Sequence, residues 1–243
     1  MHRHRFCPQE RRELMTTTKK LPRVLPVIHH IEPSITLDEI QVAIDCAADG
    51  VFLISHESYD DELVEVAKQA IQEFTGFPIG LNLLSLDCWQ ATRKAVDIGC
   101  RMVWADDMGV DSSGLDILGR KVSDLAQANP DLQLFASVAF KYRPHEREPV
   151  MAAHQARLAG FIPTTSGEAT GSAPDPAKIA SMGAGGPLAV ASGMTPQNVL
   201  RSSNHLSHIL VATGVSRDEY HIDPAKLRSL IEAVSRTDLT NGT

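Results

Sequence analysis

Short apolar runs alternate with amphipathic segments along the chain from residue 23 onward. Most of the runs are rich in Val, Ile, Leu or Phe on both faces, which is typical of buried parallel strands. We therefore predict eight strands, at residues 24–29, 50–55, 78–83, 101–105, 132–139, 160–164, 188–192 and 207–213.

The segments between these runs carry apolar residues at helical spacing. Leu63, Val66 and Ala70 belong to one such stripe, and a stripe of this kind packs one face of a helix on a core. Several segments also contain a residue pair that favours a helix N-terminus. These pairs are Thr36 with Glu39, Asp175 with Pro176, Thr195 with Pro196, and Asp223 with Pro224.

Eight strand–helix units of similar size favour a closed barrel over an open doubly wound sheet. The length of 243 residues is close to the ~250 residues typical of a (β/α)8 barrel. We predict one α/β domain, a (β/α)8 TIM barrel over residues 21–243, preceded by a flexible tail over residues 1–20. Met15 is an alternative start to Met1.

The composition argues against several classes of protein. The net charge is −7 and like charges do not cluster, whereas a nucleic-acid-binding protein normally carries a basic face. No apolar run approaches the ~20 residues of a membrane span, and the opening segment lacks the apolar core of a secretory signal. The cysteines are far apart, so we interpret Cys46 and Cys100 as buried thiols, without a disulfide framework. We expect a cytoplasmic protein.

Polar and ionisable residues follow every predicted strand, and in this fold the active site lies at those carboxyl ends. The residues are His29, the segment 55–57, Asn82, Asp106, Asp107, Lys141, the loop 164–175, the segment 192–194 and the segment 213–214.

The strongest local pattern is a glycine loop at the end of the seventh strand, followed by Thr195 and Pro196. A helix that begins there would present free N–H groups and a positive dipole end to an anion, and phosphate sites after strands seven and eight recur in this fold. Tight turns alone are the alternative reason for the glycines. The predicted phosphate-binding residues are Ser192, Gly193, Met194, Thr213 and Gly214.

The loop 164–175 is long and rich in hydroxyl groups and glycine. Loops of this length are usually lids or binding loops, and a solvated flexible loop is the alternative. We expect Ser166, Thr170 and Gly171 to contact a substrate.

The candidate catalytic residues are His29, Asp106, Asp107 and Lys141. A strand-end histidine suits proton transfer at neutral pH, and a buried structural histidine is the alternative. Lys141 could hold an anion or form a Schiff base, or it could be a solvated surface lysine.

No cofactor follows from the sequence. His29, His56 and Asp106 are of types that a divalent metal accepts, but no HxH pair or HExxH motif accompanies them, so no metal site is assigned. Asp106 and Asp107, followed by residues 111–114, superficially match a phosphoribosyl-pyrophosphate loop. An acid in the phosphate cradle would repel the phosphate, so we reject that match.

The order of these motifs resembles the BtpA family, barrel proteins named for a role in photosystem I biogenesis. The resemblance runs from about Leu25 to Ala233 and is most specific in the loops 165–175 and 192–198. It implies a phosphate-binding barrel without a settled reaction. The positions that match the family are His29, Asn82, Lys141, Thr170, Gly171, Asp175, Ser192, Gly193 and Asn198.

The chain departs from the family pattern in several places, which indicates a divergent member. Residues 55–57 stand where the family has Glu-Asn-Phe, residues 31–35 replace a Pro-Gly-rich turn, and Ser216 replaces a lysine. Tryptophan-pathway isomerases are similar at a greater distance. The cysteine of their phosphoribosylanthranilate branch is His29 here.

The leading hypothesis is an enzyme that binds a sugar phosphate or phosphoribosyl compound, with isomerase, lyase or glycosyl-transfer chemistry. His29 with Asp106 or Asp107 would transfer protons, and Asn82 and Lys141 would orient the substrate or stabilise negative charge. A non-catalytic assembly factor and a metal-dependent hydrolase are the alternatives. We expect a small phosphorylated ligand, and the sequence leaves a homo-oligomer open.

Overall fold

A computed structural model of the protein describes residues 21–57 and 60–236. The predicted tail at residues 1–20 lies outside the described residues. The prediction of a (β/α)8 barrel is confirmed, because eight parallel strands close into one barrel. These strands are β1 (Arg23–His29), β2 (Val51–Ile54), β3 (Ile79–Asn82), β4 (Met102–Ala105), β7 (Gln133–Ser137), β8 (Ile162–Thr165), β9 (Ala189–Ala191) and β10 (His208–Val211). A short antiparallel hairpin, β5 (Val110–Asp111) and β6 (Gly114–Leu115), follows β4.

The barrel closes where the last strand pairs with the first. Val24 on β1 is in register with Ile209 on β10, and His29 at the end of β1 is in register with Ile54 on β2. Because all eight strands run in one direction, their carboxyl ends meet at one face of the barrel. We call this end the carboxyl face.

Seven α-helices cover the barrel within the described residues. They are α1 (Pro33–Asp45), α2 (Asp60–Glu73), α3 (Cys88–Asp97), α4 (Ile117–Ala128), α5 (Pro149–Leu158), α6 (Pro176–Gly183) and α7 (Pro224–Ser235). In the described part of the chain, no helix has the length and apolarity needed to cross a membrane.

The helix predicted to begin at Thr195 and Pro196 is wrong. Two 3-10 helices, Val199–Arg201 and Ser203–His205, connect β9 to β10 instead. The cause lies in the Asn198 side chain, whose Oδ1 accepts from Thr195 N at 2.8 Å and whose Nδ2 donates to Gly193 O at 2.8 Å. These bonds close a tight turn, and an asparagine side chain that binds the backbone in this way competes with a helix.

Two of the other predicted helix starts are confirmed. Asp175 and Asp223 each accept a hydrogen bond from a backbone N–H in the first turn of α6 and α7. The capping box of Thr36 and Glu39 is wrong, because α1 begins one turn earlier at Pro33. The Glu39 carboxylate accepts from Ile222 N at 2.7 Å instead, which ties α1 to the segment before α7.

The core has two layers. Leu25, Phe52 and Phe135 belong to the cluster inside the barrel. The adjacent residue Val24 belongs to the second cluster, between the strands and the helices, which we call the outer core. The two residues separate because successive strand residues point to opposite faces. The predicted burial of Cys46 and Cys100 is confirmed, and both are free thiols.

Leu25→Ala should lower the free energy of unfolding by about 2–5 kcal/mol, because it removes a buried side chain from a packed interior. Leu158 is 69% exposed on α5, so Leu158→Ala should stay within about 0.5 kcal/mol of the wild type. Urea unfolding of both variants measures the difference. Equal losses would contradict the assignment of Leu25 to the interior.

Candidate functional site

A cavity of about 340 Å³ opens on the carboxyl face, and we call it the mouth cavity. It collects residues from strands all around the barrel and from the loops that follow them. It is lined by Val27, His29, Ile54, His56, Leu84, Trp104, Asp106, residues 140–143, Thr170, Gly171, residues 191–193, Leu210, Ala212 and Thr213.

Most of the residues selected from the sequence line this cavity. They are His29, Asp106, Lys141, Thr170, Gly171, Ser192, Gly193 and Thr213. The remaining candidates do not line it. They are Asn82, Asp107, Ser166, Met194 and Gly214.

Asn82 and Asp107 line a neighbouring cleft of about 270 Å³, which also includes Asp106. Asn82 is buried, and its Nδ2 lies 3.5 Å from Asp106 Oδ1. The Asp107 carboxylate accepts from Gly109 N at 2.9 Å and pairs with Arg143 at 3.1 Å. Asn82 therefore touches the mouth cavity only through Asp106.

Ser166, Met194 and Gly214 build the loops and do not line the mouth cavity. Ser166 is buried, and its Oγ accepts from Lys141 N at 2.7 Å and donates to Gly167 O at 2.8 Å. The Met194 side chain packs in the outer core. A Cβ added to Gly214 would lie 2.0 Å from Met194 O, so the loops after β9 and β10 pack through their backbones.

Gly193 joins the loop after β9 to the loop after β8. Its φ of +63° lies in the left-handed region, and an added Cβ would lie 2.1 Å from Ala173 N. Next to it, Ser192 Oγ donates to Ala169 O at 3.1 Å. The glycine is therefore required by packing between two loops, whatever else its backbone binds.

The glycine loops, residues 192–194 and 213–214, carry backbone donors that have no acceptor in the part of the chain that the structure describes. Among the described residues, no acceptor takes the N–H of Gly193, Met194, Thr213 or Gly214. Free backbone N–H groups on neighbouring loops can together bind an anion.

Lys141 and Tyr142 reach across from the loop after β7 to Thr170. Lys141 Nζ donates to Thr170 Oγ1 at 3.2 Å, and Tyr142 Oη lies 3.3 Å from the same oxygen. Burial lowers the pKa of Lys141 below its ordinary 10.5, whereas Tyr142 and Asp106 act in the opposite direction. Hydrogen bonds with Thr170 lower the pKa of Tyr142.

Lys178 is a residue that the sequence reasoning missed. Its ammonium donates to Ala139 O at 2.7 Å and to Ser166 O at 3.0 Å, so it ties together the loops after β7 and β8. The loop after β7 is strained, because Ala139 and Tyr142 have φ values of +47° and +63° and such conformations cost about 1–3 kcal/mol each. The bonds from Lys178 stabilise this loop. Burial lowers the pKa of Lys178.

The surroundings of His29 favour the neutral form of its ring. Burial lowers its pKa below 6.5, His56 and Lys141 lower it further, and Glu219 opposes the shift. The His29 and His56 rings meet edge to face at 5.1 Å. Nδ1 of His29 is buried, with no hydrogen-bond partner among the described residues. Glu219, which the sequence did not single out, is thus an electrostatic neighbour.

Arg143 lines the mouth cavity and was also missed by the sequence reasoning. Besides its pairing with Asp107, its guanidinium donates to Asp106 O. The residue stands two positions after Lys141, and its only sequence signal is that proximity to a strand end.

In residues 21–57 and 60–236, no group of three or more His, Cys, Asp or Glu side chains could hold a metal ion. The alternative of a metal site at His29, His56 and Asp106 therefore finds no cluster there. Residues 111–114 form the turn of the β5–β6 hairpin, in which Asp111 Oδ1 accepts from Ser113 N at 2.7 Å. This turn is consistent with rejecting the pyrophosphate-loop match.

No protein-family model and no curated protein matches the chain, but solved structures are similar to it. A structure reported as native KDPGal has a TM-score of 0.65 at 16% identity, covering 88% of this chain and 95% of its own. For the phosphoribosyl anthranilate isomerase of Thermus thermophilus the values are 0.60, 14%, 88% and 98%.

The (S)-3-O-geranylgeranylglyceryl phosphate synthase of Thermoplasma acidophilum, in complex with its substrate sn-glycerol-1-phosphate, has a TM-score of 0.64 at 12% identity. The alignment covers 89% of this chain and 94% of the synthase. At such identities the likeness establishes the barrel fold alone. It does not extend to the activity, because one fold hosts many activities.

Gly193→Ala should destabilise the protein more than Gly160→Ala. Both glycines have positive φ, so each substitution carries the left-handed cost of about 1–2 kcal/mol. An added Cβ at Gly160 meets nothing within 4 Å, whereas at Gly193 the overpacking should cost about 1–3 kcal/mol more. Urea unfolding checks this difference, and equal costs would show that the loops do not pack at Gly193.

Lowering the pH should destabilise the wild type relative to His29→Asn. Because the folded-state pKa of His29 lies below 6.5, the folded protein binds this proton less readily than the unfolded chain. The loss begins as the pH falls through 6.5 and is complete below the folded-state pKa. Unfolding free energies from pH 8 to pH 5 measure it, with His154→Asn on the surface of α5 as the control. Parallel curves for wild type and His29→Asn would contradict the prediction.

Proposed function

We propose that this chain is an enzyme that acts on a phosphorylated small molecule in the mouth cavity. The observation that carries the proposal is the set of unused backbone donors on the two glycine loops. A phosphate offers enough acceptor oxygens to take several N–H groups at once. The proposed phosphate-binding residues are Ser192, Gly193 and Thr213, which line the mouth cavity, together with Met194 and Gly214 from the same two loops.

Positive charge on a nearby loop of the same cavity supports the same ligand. Lys141 and Arg143 come from the loop after β7, whereas the glycine loops follow β9 and β10. An anion between them would interact with fixed N–H dipoles on one side and cations on the other. The solved relatives named for phosphoribosyl and glyceryl phosphate compounds are in line with a sugar phosphate or a related ester.

The chemistry that suits this arrangement is proton transfer next to a stabilised negative charge. A neutral His29 ring can act as a general base, and Asp106 is the carboxylate of the cavity. Lys141 would stabilise the charge that develops on the substrate, and Asn82 would orient Asp106. An isomerase, a lyase and a glycosyl-transfer enzyme all use such a set.

We further propose that the chain is a divergent member of the BtpA-like barrels. The two loops that carry the most specific resemblance, residues 165–175 and 192–198, are packed on each other through Gly193 and Ala173. The matching positions of these two loops thus belong to one structural unit. Asp175 caps α6 and Asn198 closes the turn after β9, which gives both a structural reason.

A non-catalytic assembly factor is the second candidate, and exposed apolar residues on α5 favour it. Val150, Met151 and Leu158 are 49%, 43% and 69% exposed. Such a surface suits a contact with another protein or with a second copy of the chain.

Lys141→Met should weaken the binding of glycerol 1-phosphate by about 10- to 100-fold, because it removes a charge-assisted hydrogen bond worth about 1.5–3 kcal/mol. Isothermal titration measures this, with Lys121→Met on the exposed face of α4 as the matched control. Wild type that binds neither glycerol 1-phosphate nor inorganic phosphate would refute the proposed enzyme and favour the assembly factor.

A further inference from the structure

The mouth cavity has a polar rim and an apolar wall. The rim consists of Ser192, Gly193 and Thr213 together with Lys141 and Thr170. The wall consists of Val27, Ile54, Trp104, Phe140 and Leu210, and we call these residues the apolar wall. A substrate that fills the cavity must meet both surfaces.

The side chains of the wall offer no free hydrogen-bonding group to a ligand. Trp104 carries the one polar side-chain group of the five, and its Nε1 already donates to Ser137 Oγ at 2.9 Å. The Phe140 ring packs on the Trp104 ring with their centroids 6.0 Å apart. Trp104 packs in turn on Phe52, with centroids also 6.0 Å apart. The wall is therefore a fixed hydrocarbon surface that continues into the barrel interior.

This surface discriminates between kinds of organic group. A hydroxyl that leaves water to lie against it loses a hydrogen bond and gains none. An aromatic or alkyl group gains by covering apolar surface, and a flat ring can also pack against the edges and faces of Trp104 and Phe140.

We propose that the ligand carries, besides its phosphate, an aromatic or alkyl group that packs on the apolar wall, so that a bare sugar phosphate fills only part of the site. The proposal rests on the proposed phosphate site, because the phosphate fixes which end of the ligand faces the wall. The ligand class is then an aryl- or alkyl-substituted phosphate ester.

The experiment compares phosphate esters on the wild-type protein by isothermal titration. The probes are 1-naphthyl phosphate, phenyl phosphate, ribose 5-phosphate and inorganic phosphate. We expect 1-naphthyl phosphate to bind at least 10-fold more tightly than ribose 5-phosphate, with phenyl phosphate between them.

Val27→Thr tests the wall directly, because it keeps the side-chain shape and adds a hydroxyl. It should weaken 1-naphthyl phosphate at least 5-fold and leave inorganic phosphate unchanged. Val24→Thr is the matched control, since Val24 lies on the same strand but packs in the outer core. Its ligand affinities should equal those of the wild type, and thermal unfolding verifies that both variants are folded.

Ribose 5-phosphate that binds as tightly as 1-naphthyl phosphate, or tighter, would overturn the apolar-group proposal and leave the phosphate site intact. If Val27→Thr weakens the binding of 1-naphthyl phosphate and of ribose 5-phosphate equally, the proposal is overturned as well. If no phosphate compound binds to the wild type, the proposed function itself fails, and this proposal fails with it. The ranking on wild-type protein decides the question even if Val27→Thr does not fold.

Discussion

The backbone contact between Gly193 and the segment at Ala173 holds the carboxyl face together. It sets the distance between the loops after β8 and β9, and both loops line the mouth cavity. A second contact of the same kind, between Gly214 and Met194, sets the position of the loop after β10. Three loops are thereby fixed relative to one another by close backbone packing, and the Ser192 hydroxyl adds a hydrogen bond to Ala169 O. This leaves their unused N–H groups in place for a ligand.

The loop after β7 is positioned by a charged side chain from α6. Lys178 gives its ammonium to two carbonyl groups, Ala139 O and Ser166 O, and Ser166 in turn accepts from the backbone of Lys141. Lys141 therefore owes its place to a lysine on α6 that does not take part in the proposed chemistry. Burial lowers the pKa of Lys178, and the charge of Glu168 opposes that shift.

The strands could be predicted because each is a short apolar run, and that signal is local. Asp175 and Asp223 were recognised for the same reason, as caps beside a proline. The helix expected after Thr195 failed because Asn198, three residues later, binds the backbone of that turn. His29, Lys141 and Thr213 could be predicted as site residues because each stands at or just after the end of a strand. Lys178 and Glu219 could not be predicted, since only the fold brings the helix residue Lys178 to Ala139 O and the distant acid Glu219 close to His29.

Two short 3-10 helices stand between β9 and β10, where the other strand connections of the barrel have an α-helix. Short 3-10 helices have poorer hydrogen-bond geometry than α-helices, and weakly bonded segments open locally before the whole fold does. The loop before this segment contributes Gly193 and Met194 to the proposed anion site. A ligand that holds those amides would restrain the opening of the segment behind them. Amide protons at residues 199–205, which a ligand never touches, would then exchange more slowly and report its occupancy from the outside of the barrel.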